Sequence, residues 1–188
     1  MISGFLTLLL LTTCASAEAP GSLDELVAQI ALEAGQNRLD FTEQRESELL
    51  EEPMTVRGRL WRDERGRLIR ETEAPRQEIQ ILGERVLTIR RPGQHDRQFS
   101  LGRAPELAVL RQALTALLDG NPESLREHFR TQLERDGEAW RLRLDPRNPD
   151  LAESVSALEL DGQGAIITRM VLELADGKRI VTEIQPPS

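Results

Sequence analysis

The residue types that most often carry chemistry are few in this chain of 188 residues. It contains two histidines, His95 and His128, and one cysteine, Cys14. Neither histidine has cysteines or paired carboxylates around it at the spacing of a metal site, and we expect both side chains to be solvated. No Gly-x-Ser-x-Gly motif, phosphate-binding glycine loop or His-Glu-x-x-His motif occurs. We therefore predict that the protein is not an enzyme and has no catalytic residue, no metal and no cofactor.

Two other polar patterns have a plainer explanation than a binding site. The acidic residues between Glu43 and Glu52 could bind a cation weakly, but a solvated strand and loop explain them better. The Gly162-Gln163-Gly164 segment lies in a hairpin rather than between a strand and a helix, so it is not a dinucleotide signal. The net charge of −8 argues against nucleic acid, because binding phosphates needs a basic face.

The first 17 residues have the features of a cleavable secretory signal peptide. They carry no charged side chain, and the apolar run from Phe5 to Leu11 is too short to span a bilayer. Ala15-Ser16-Ala17 supplies small residues at the cleavage site. We predict a signal peptide over residues 1–17 and one domain over residues 18–188, located in the periplasm.

Cys14 is the one residue that suggests a different fate for this N-terminus. It follows Leu11-Thr12-Thr13, which matches a lipoprotein signal poorly because a small residue is usual where Thr13 stands. If cleavage follows Ala17, the mature chain has no cysteine and no disulfide.

The longest helical pattern runs from Pro105 to Phe129, with a break at Asn121-Pro122. On a helical wheel its first part has polar residues in one narrow sector and an apolar arc roughly twice the ~100° of an ordinary surface helix. The apolar residues are Leu107, Val109, Leu110, Ala113, Leu114, Ala116, Leu117 and Leu118. Such a helix needs apolar neighbours on more than one side. It is either a deeply packed core helix or a lid between a sheet and an apolar ligand.

Most of the remaining chain alternates between apolar and charged residues with a period of two, which is typical of strands. Before the central helix the strand-like segments begin at residue 38 and cover 55–62, 67–72, 77–82, 85–91 and 97–101. After it they cover 140–145, 158–161, 169–174 and 180–184. Asp136-Gly137, Asp161-Gly162 and Asp176-Gly177 are hairpin signals between them.

The alternation is one-sided, which predicts an antiparallel meander with one wet face that curls toward a barrel. A short first helix begins with the capping box Ser22-Leu23-Asp24-Glu25. A further turn or two of helix follows the break at Asn121-Pro122. We predict a mainly β (α+β) fold in which about three helices plug the open side of the sheet.

Several short motifs, in their order and spacing, resemble the LolA-type periplasmic lipoprotein carriers, and most of all a divergent LolA-like branch of them. The similarity covers roughly residues 22–184. Its motifs are Phe41-Thr42-Glu43, Gly58-x-Leu60-Trp61, the Gly83-Glu84 turn, Leu117-Leu118-Asp119-Gly120, Leu125-x-x-x-Phe129 and Trp140-x-Leu142-x-Leu144-x-Pro146-Arg147.

The resemblance implies an unclosed antiparallel barrel whose lid of helices covers a hydrophobic cavity. In the family this cavity takes acyl chains from an inner-membrane donor and yields them to an outer-membrane acceptor. The carriers also have an arginine followed by a proline after the Gly-x-Leu-Trp strand, and that arginine ties the lid to the sheet. Here those positions are Glu64 and Arg65. The lid must therefore be held in another way, for which apolar packing alone is one candidate, and we expect a cargo other than general lipoproteins.

The leading hypothesis is a monomeric periplasmic carrier of an acylated lipoprotein or glycolipid, with an inner-membrane donor and an outer-membrane acceptor as partners. The residues predicted to line or close its cavity are Phe41, Trp61, Leu107, Leu110, Leu114, Leu117 and Trp140. For any one of them, a plain core role is an equal alternative. The second hypothesis is a structural or adaptor protein of the cell envelope with a filled core. The third is an enzyme that acts on a lipid or glycan.

Overall fold

The computed structural model describes residues 21–33, 38–45 and 53–185. The predicted signal peptide and Cys14 lie outside the described residues. The same holds for Gly35, for most of the acidic run before Pro53 and for the last three residues.

Four α-helices and one short 3-10 helix (Leu101–Arg103) are present in the described part of the chain. The α-helices are α1 (Leu23–Glu33), α2 (Pro105–Leu118), α3 (Pro122–His128) and the short α4 (Pro149–Ala152). The predicted capping box starts α1: the Ser22 amide donates to Glu25 Oε2 at 2.9 Å, and the Glu25 amide donates to Ser22 Oγ at 3.2 Å. Between α2 and α3, the Asn121 side chain accepts a hydrogen bond from the Ser124 amide and so caps the N-terminus of α3.

Within the described residues, eleven antiparallel strands form one sheet. They are β1 (Leu39–Arg45), β2 (Met54–Arg62), β3 (Leu68–Ala74), β4 (Glu78–Leu82), β5 (Val86–Arg90), β6 (Arg97–Ser100), β7 (Phe129–Asp136), β8 (Ala139–Pro146), β9 (Val155–Gln163), β10 (Ile166–Leu174) and β11 (Arg179–Gln185). Their order is β6-β5-β4-β3-β2-β1-β11-β10-β9-β8-β7. Two meanders are thus joined in the middle by the pairing of β1 with β11.

The two edges of this sheet, β6 and β7, do not pair with each other, so the barrel is unclosed. The chain between these two edges contains α2 and α3. Apolar side chains that alternate inward from the strands pack with α1, α2 and α3 in one core. The outward positions carry ion pairs, such as Arg143 with Glu159 and Glu173. The predicted half-barrel with a helical lid is therefore confirmed.

Two elements are absent from the sequence prediction. The sequence of β7 shows no clear strand pattern. The reason is that β7 is an edge strand whose inward positions include few large apolar residues. The four-residue helix α4 begins at Asn148, whose side chain accepts from the Asp150 amide at 2.8 Å. Its signal is the Asn-Pro pair at its start, since proline is favoured in the first turn of a helix.

The hairpin predicted at Asp161-Gly162 is wrong by two residues. Gly162 lies inside β9 and pairs with Trp140. A Cβ atom at Gly162 would overlap the Trp140 ring. The glycine is therefore needed for close packing against the indole and not for a turn. The turn residue is Gly164, which has φ +56°.

Candidate functional site

An apolar cavity of about 190 Å³ lies between the helices and the sheet. Its walls come from α1, from the C-terminal half of α2, from β1, β2, β3 and β11, and from the turn between β9 and β10. They consist of Ile30, Glu33, Leu39, Leu60, Trp61, Arg62, Leu68, Leu114, Leu118, Ala165, Ile166, Ile167 and Ile184. Such a lining, apolar with few charged groups, is typical of a site for a hydrophobic ligand.

The periodicity of the strands and of α2 directs these side chains toward the same cavity. Leu39 pairs with Leu60 across β1 and β2, and both alternate to the inner face of the sheet. Leu114 and Leu118 are four residues apart on α2, so they lie on the same side of that helix. The sheet therefore supplies one wall of the cavity and α2 the opposite wall.

One end of the cavity is open to solvent at the turn between β9 and β10. Ile166 lines the cavity, yet 46% of its surface is exposed. Leu32 on α1 is 86% exposed and borders a shallow depression that shares Glu33 and Ala165 with the cavity wall. Large exposed apolar side chains thus surround the mouth.

An ion pair ties α2 to the sheet beside this cavity. Arg62, at the end of β2, contacts Asp119 Oδ1 at 2.6 Å through Nη1. Asp119 is the C-terminal cap of α2, and Arg62 Nε also donates to the Gly66 carbonyl at 3.1 Å. The hypothesis that apolar packing alone holds the lid is therefore wrong. The connecting arginine is Arg62, two residues before the position where the family pattern places it.

The seven predicted cavity residues fall into three groups. Leu114 and Trp61 border the cavity. Leu107 and Leu110 line a second, smaller cleft under the N-terminal half of α2. The remaining three are buried in the core: Phe41, Leu117 and Trp140. Their contact with a ligand stays a prediction.

Trp61 and Trp140 have different surroundings. Strand alternation places Trp61 on the opposite face of β2 from Leu60, and Arg38 stacks 4.5 Å from its ring centroid. Trp140 is 3% exposed, and its indole Nε1 donates to the Gly164 carbonyl at 2.8 Å. Trp140 thus fastens the end of β8 to the neighbouring hairpin, which is a structural role.

The second cleft, about 30 Å³ in volume, has on its sheet side a polar group from β1, β3 and β11, next to the apolar residues Leu158, Met170, Leu172 and Ile180. Buried Glu43 accepts hydrogen bonds from Arg70 Nη2 at 2.9 Å, from Arg45 Nε at 2.6 Å and from the Thr182 hydroxyl at 3.2 Å. Arg70 also donates to Gln80 at 3.3 Å. Burial lowers the pKa of the Arg70 guanidinium, and the charge of Glu43 opposes this effect. We refer to this cleft as the polar cleft.

These polar residues were missed because a charged residue in a strand was assigned to the wet face. A signal was available in the spacing: Glu43 follows Leu39 and Phe41 at intervals of two, so it shares their inward face. Arg70 likewise shares its face with Leu68.

The described ranges 21–33, 38–45 and 53–185 contain neither a metal-binding cluster nor a helix that could cross a membrane. No group of three or more His, Cys, Asp or Glu side chains there could hold a metal ion. None of the helices in those ranges is long and apolar enough to cross a membrane.

Several solved structures share parts of this architecture at low sequence identity. A LolA superfamily protein from Nitrosomonas europaea has 11% identity and a TM-score of 0.47, with 88% of this chain and 93% of that chain covered. A DUF1329 family protein from Desulfovibrio piger has 8% identity and a TM-score of 0.46, with 86% and 89% covered. The MucA/MucB complex of Pseudomonas aeruginosa has 11% identity and a TM-score of 0.42, with 88% and 58% covered.

No curated protein matches the chain. Residues 15–178, which are most of the sequence, match the family described as "Outer membrane lipoprotein carrier protein LolA-like". The chain therefore belongs to the LolA-like family.

Proposed function

We propose that this protein is a non-enzymatic periplasmic carrier that binds the acyl chains of a lipoprotein or glycolipid and moves them between the inner and outer membranes. The apolar cavity under α2 is the observation that carries the proposal. Apart from Glu33, Arg62 and Trp61, whose side chain lies on the other face of β2, its lining residues are aliphatic. Each acyl methylene buried against such a wall contributes about 0.8 kcal/mol to the free energy of binding, so the acyl chain leaves water readily.

The cavity is small for a site that encloses a whole ligand. At about 190 Å³ the space is smaller than the roughly 300–1,000 Å³ of a site that encloses a drug-sized molecule. An acylated molecule therefore needs either a displaced α2 or an exit through the mouth at Ile166. Because the lid packs into the same space as the ligand, closing the lid also helps to release the cargo.

The experiment that tests this proposal is the identification of bound lipid. Purified protein from the periplasm is extracted and analysed by mass spectrometry, and the delipidated protein is titrated with a fluorescent lipid. Co-purified lipid and saturable binding are expected. A folded protein that contains no lipid and shows no binding would instead support the adaptor hypothesis, in which the core is filled.

The class of cargo needs a second experiment. A cargo other than general lipoproteins is expected only if the link between lid and sheet is missing, and the Arg62–Asp119 pair supplies such a link. Expression in cells depleted of their own lipoprotein carrier separates the two classes. Restored growth, with lipoproteins in the outer membrane, identifies lipoprotein cargo. Failure to restore growth by a protein that does bind lipid identifies another acylated molecule.

A further inference from the structure

The apolar cavity and the polar cleft are two ends of one groove between α2 and the sheet. Five elements border both ends, namely β1, β3, β10, β11 and α2, and on β10 the lining stays apolar from Ile167 to Met170. On β3 the lining residue changes from Leu68 to Arg70, and on β11 it changes from Ile184 to Thr182. On α2 it changes from Leu114 to Leu110, one helical turn away.

Phe41 lies between these two ends. On β1 it stands midway between Leu39, which lines the apolar cavity, and Glu43, which lines the polar cleft. Consecutive inward positions of a strand are about 6.6 Å apart, so one side chain separates the two spaces. Phe41 is 3% exposed and pairs with Ile184 of the cavity wall.

Beyond Phe41, the buried charges of Arg70 and Glu43 oppose the entry of an acyl chain. The Arg70 guanidinium stacks 4.7 Å from the centroid of the Phe41 ring, and Arg70 is held there by Glu43. An acyl chain that displaced this pair would leave buried charges without partners, which costs several kcal/mol. On β1 and β3, a ligand chain that enters at Ile166 therefore has apolar walls only as far as the Phe41 ring, while Met170 and Leu172 continue the apolar wall on β10.

We propose that Phe41, supported by Arg70, is the stop at the inner end of the cavity and sets the length of acyl chain that the protein binds. This inference rests on the proposed carrier function and specifies its ligand as an amphiphile with a linear chain. The polar group of that amphiphile stays at the mouth, and the methyl end points toward Phe41.

The test is a binding series with saturated lysophosphatidylcholines that differ only in chain length. For the unaltered protein, affinity increases about fourfold for each methylene that is newly buried, and then stops increasing. In Phe41→Ala the increase continues to longer chains, because the space vacated by the ring joins the cavity. In Phe41→Leu, which keeps more of the apolar volume, the limit lies between the two.

Phe129→Ala is the matched control. Phe129 is also a core phenylalanine, 1% exposed, but it begins β7 and is distant in the sheet from β1. Its truncation is expected to destabilise the protein without changing the chain-length limit. An unchanged limit in both Phe41 variants, or an equal change in Phe129→Ala, would overturn the inference while leaving the carrier function intact. No binding of any chain by the unaltered protein would overturn the carrier function itself.

Discussion

Arg62 and Asp119 form the direct ionic link between the sheet and the cap of α2, and their partial exposure limits its strength. Their side chains are 31% and 42% exposed, in the range where an ion pair contributes about 0.2–1 kcal/mol. We expect Asp119→Asn to leave the fold intact and to slow the release of bound lipid by up to about fivefold, because the ion pair favours the closed lid, which competes with the ligand for the cavity. Stopped-flow fluorescence with a labelled lipid measures this rate.

Glu123→Gln is the control for this change. It removes the same charge from α3, where Glu123 contacts Arg126 of the same helix at 3.4 Å and makes no link to the sheet. Equal release rates in the two variants would show that the Arg62–Asp119 pair does not hold the lid.

The Arg70–Glu43 pair is a different case because both side chains are almost completely buried. We expect Arg70→Met to lower the free energy of unfolding by about 1–3 kcal/mol, since the buried Glu43 carboxylate loses Arg70 and keeps only the partly exposed Arg45 and the Thr182 hydroxyl as partners. Replacing both residues, by Arg70→Met with Glu43→Leu, should recover most of this loss. Urea unfolding of the single and double variants measures the difference. A double variant that is no more stable than Arg70→Met would contradict this account.

At the scale of elements, α2 is the helix whose role the sequence leaves open between core and lid. Leu114 is 3% exposed and lines the apolar cavity. Leu114→Glu places a carboxylate there without a partner, which costs several kcal/mol in the closed state. If α2 is a lid, the cost is avoided by displacing the helix, so we expect the sheet to remain folded while lipid binding is lost.

A thermal melt followed by circular dichroism, next to a fluorescent-lipid titration, measures both properties of Leu114→Glu. Gln112→Glu adds the same charge at a half-exposed position of α2 and should change neither property. Global unfolding of Leu114→Glu would mean that α2 is ordinary core, and unchanged lipid binding would contradict both interpretations.

The elements also show where sequence patterns stop being informative. Strands with alternating aliphatic and charged residues, such as β8 and β10, are predictable because one face is dry and the other is wet. β7 is not, since an edge strand needs fewer apolar residues on its inward face. The Asp161-Gly162 pair predicts a turn because Asp-Gly is common in hairpins, whereas the small size of Gly162 is needed for contact with Trp140 on the next strand.

At the scale of the whole molecule, the pairing of β1 with β11 is what turns two meanders into one curved sheet. Local patterns predict neighbours along the chain, but this contact joins residues as distant as Glu43 and Thr182. The division of the groove by Phe41 depends on the same pairing, so no single stretch of sequence could predict it. The apolar arc of α2 and the family motifs could predict the lid and the open sheet.

A carrier must cross an aqueous space with its cargo, so its own N-terminus must not hold it in a membrane. The Ala15-Ser16-Ala17 site predicts cleavage after Ala17 and a mature chain that begins at Glu18 without a cysteine. Intact-mass analysis of the periplasmic protein is expected to give this unmodified mass, and Cys14→Ser is expected to change neither the mass of the mature chain nor its location. Two acyl chains on Cys14 would anchor the protein stably. That mass would contradict a soluble carrier and would instead indicate a membrane-bound acceptor of the same cargo.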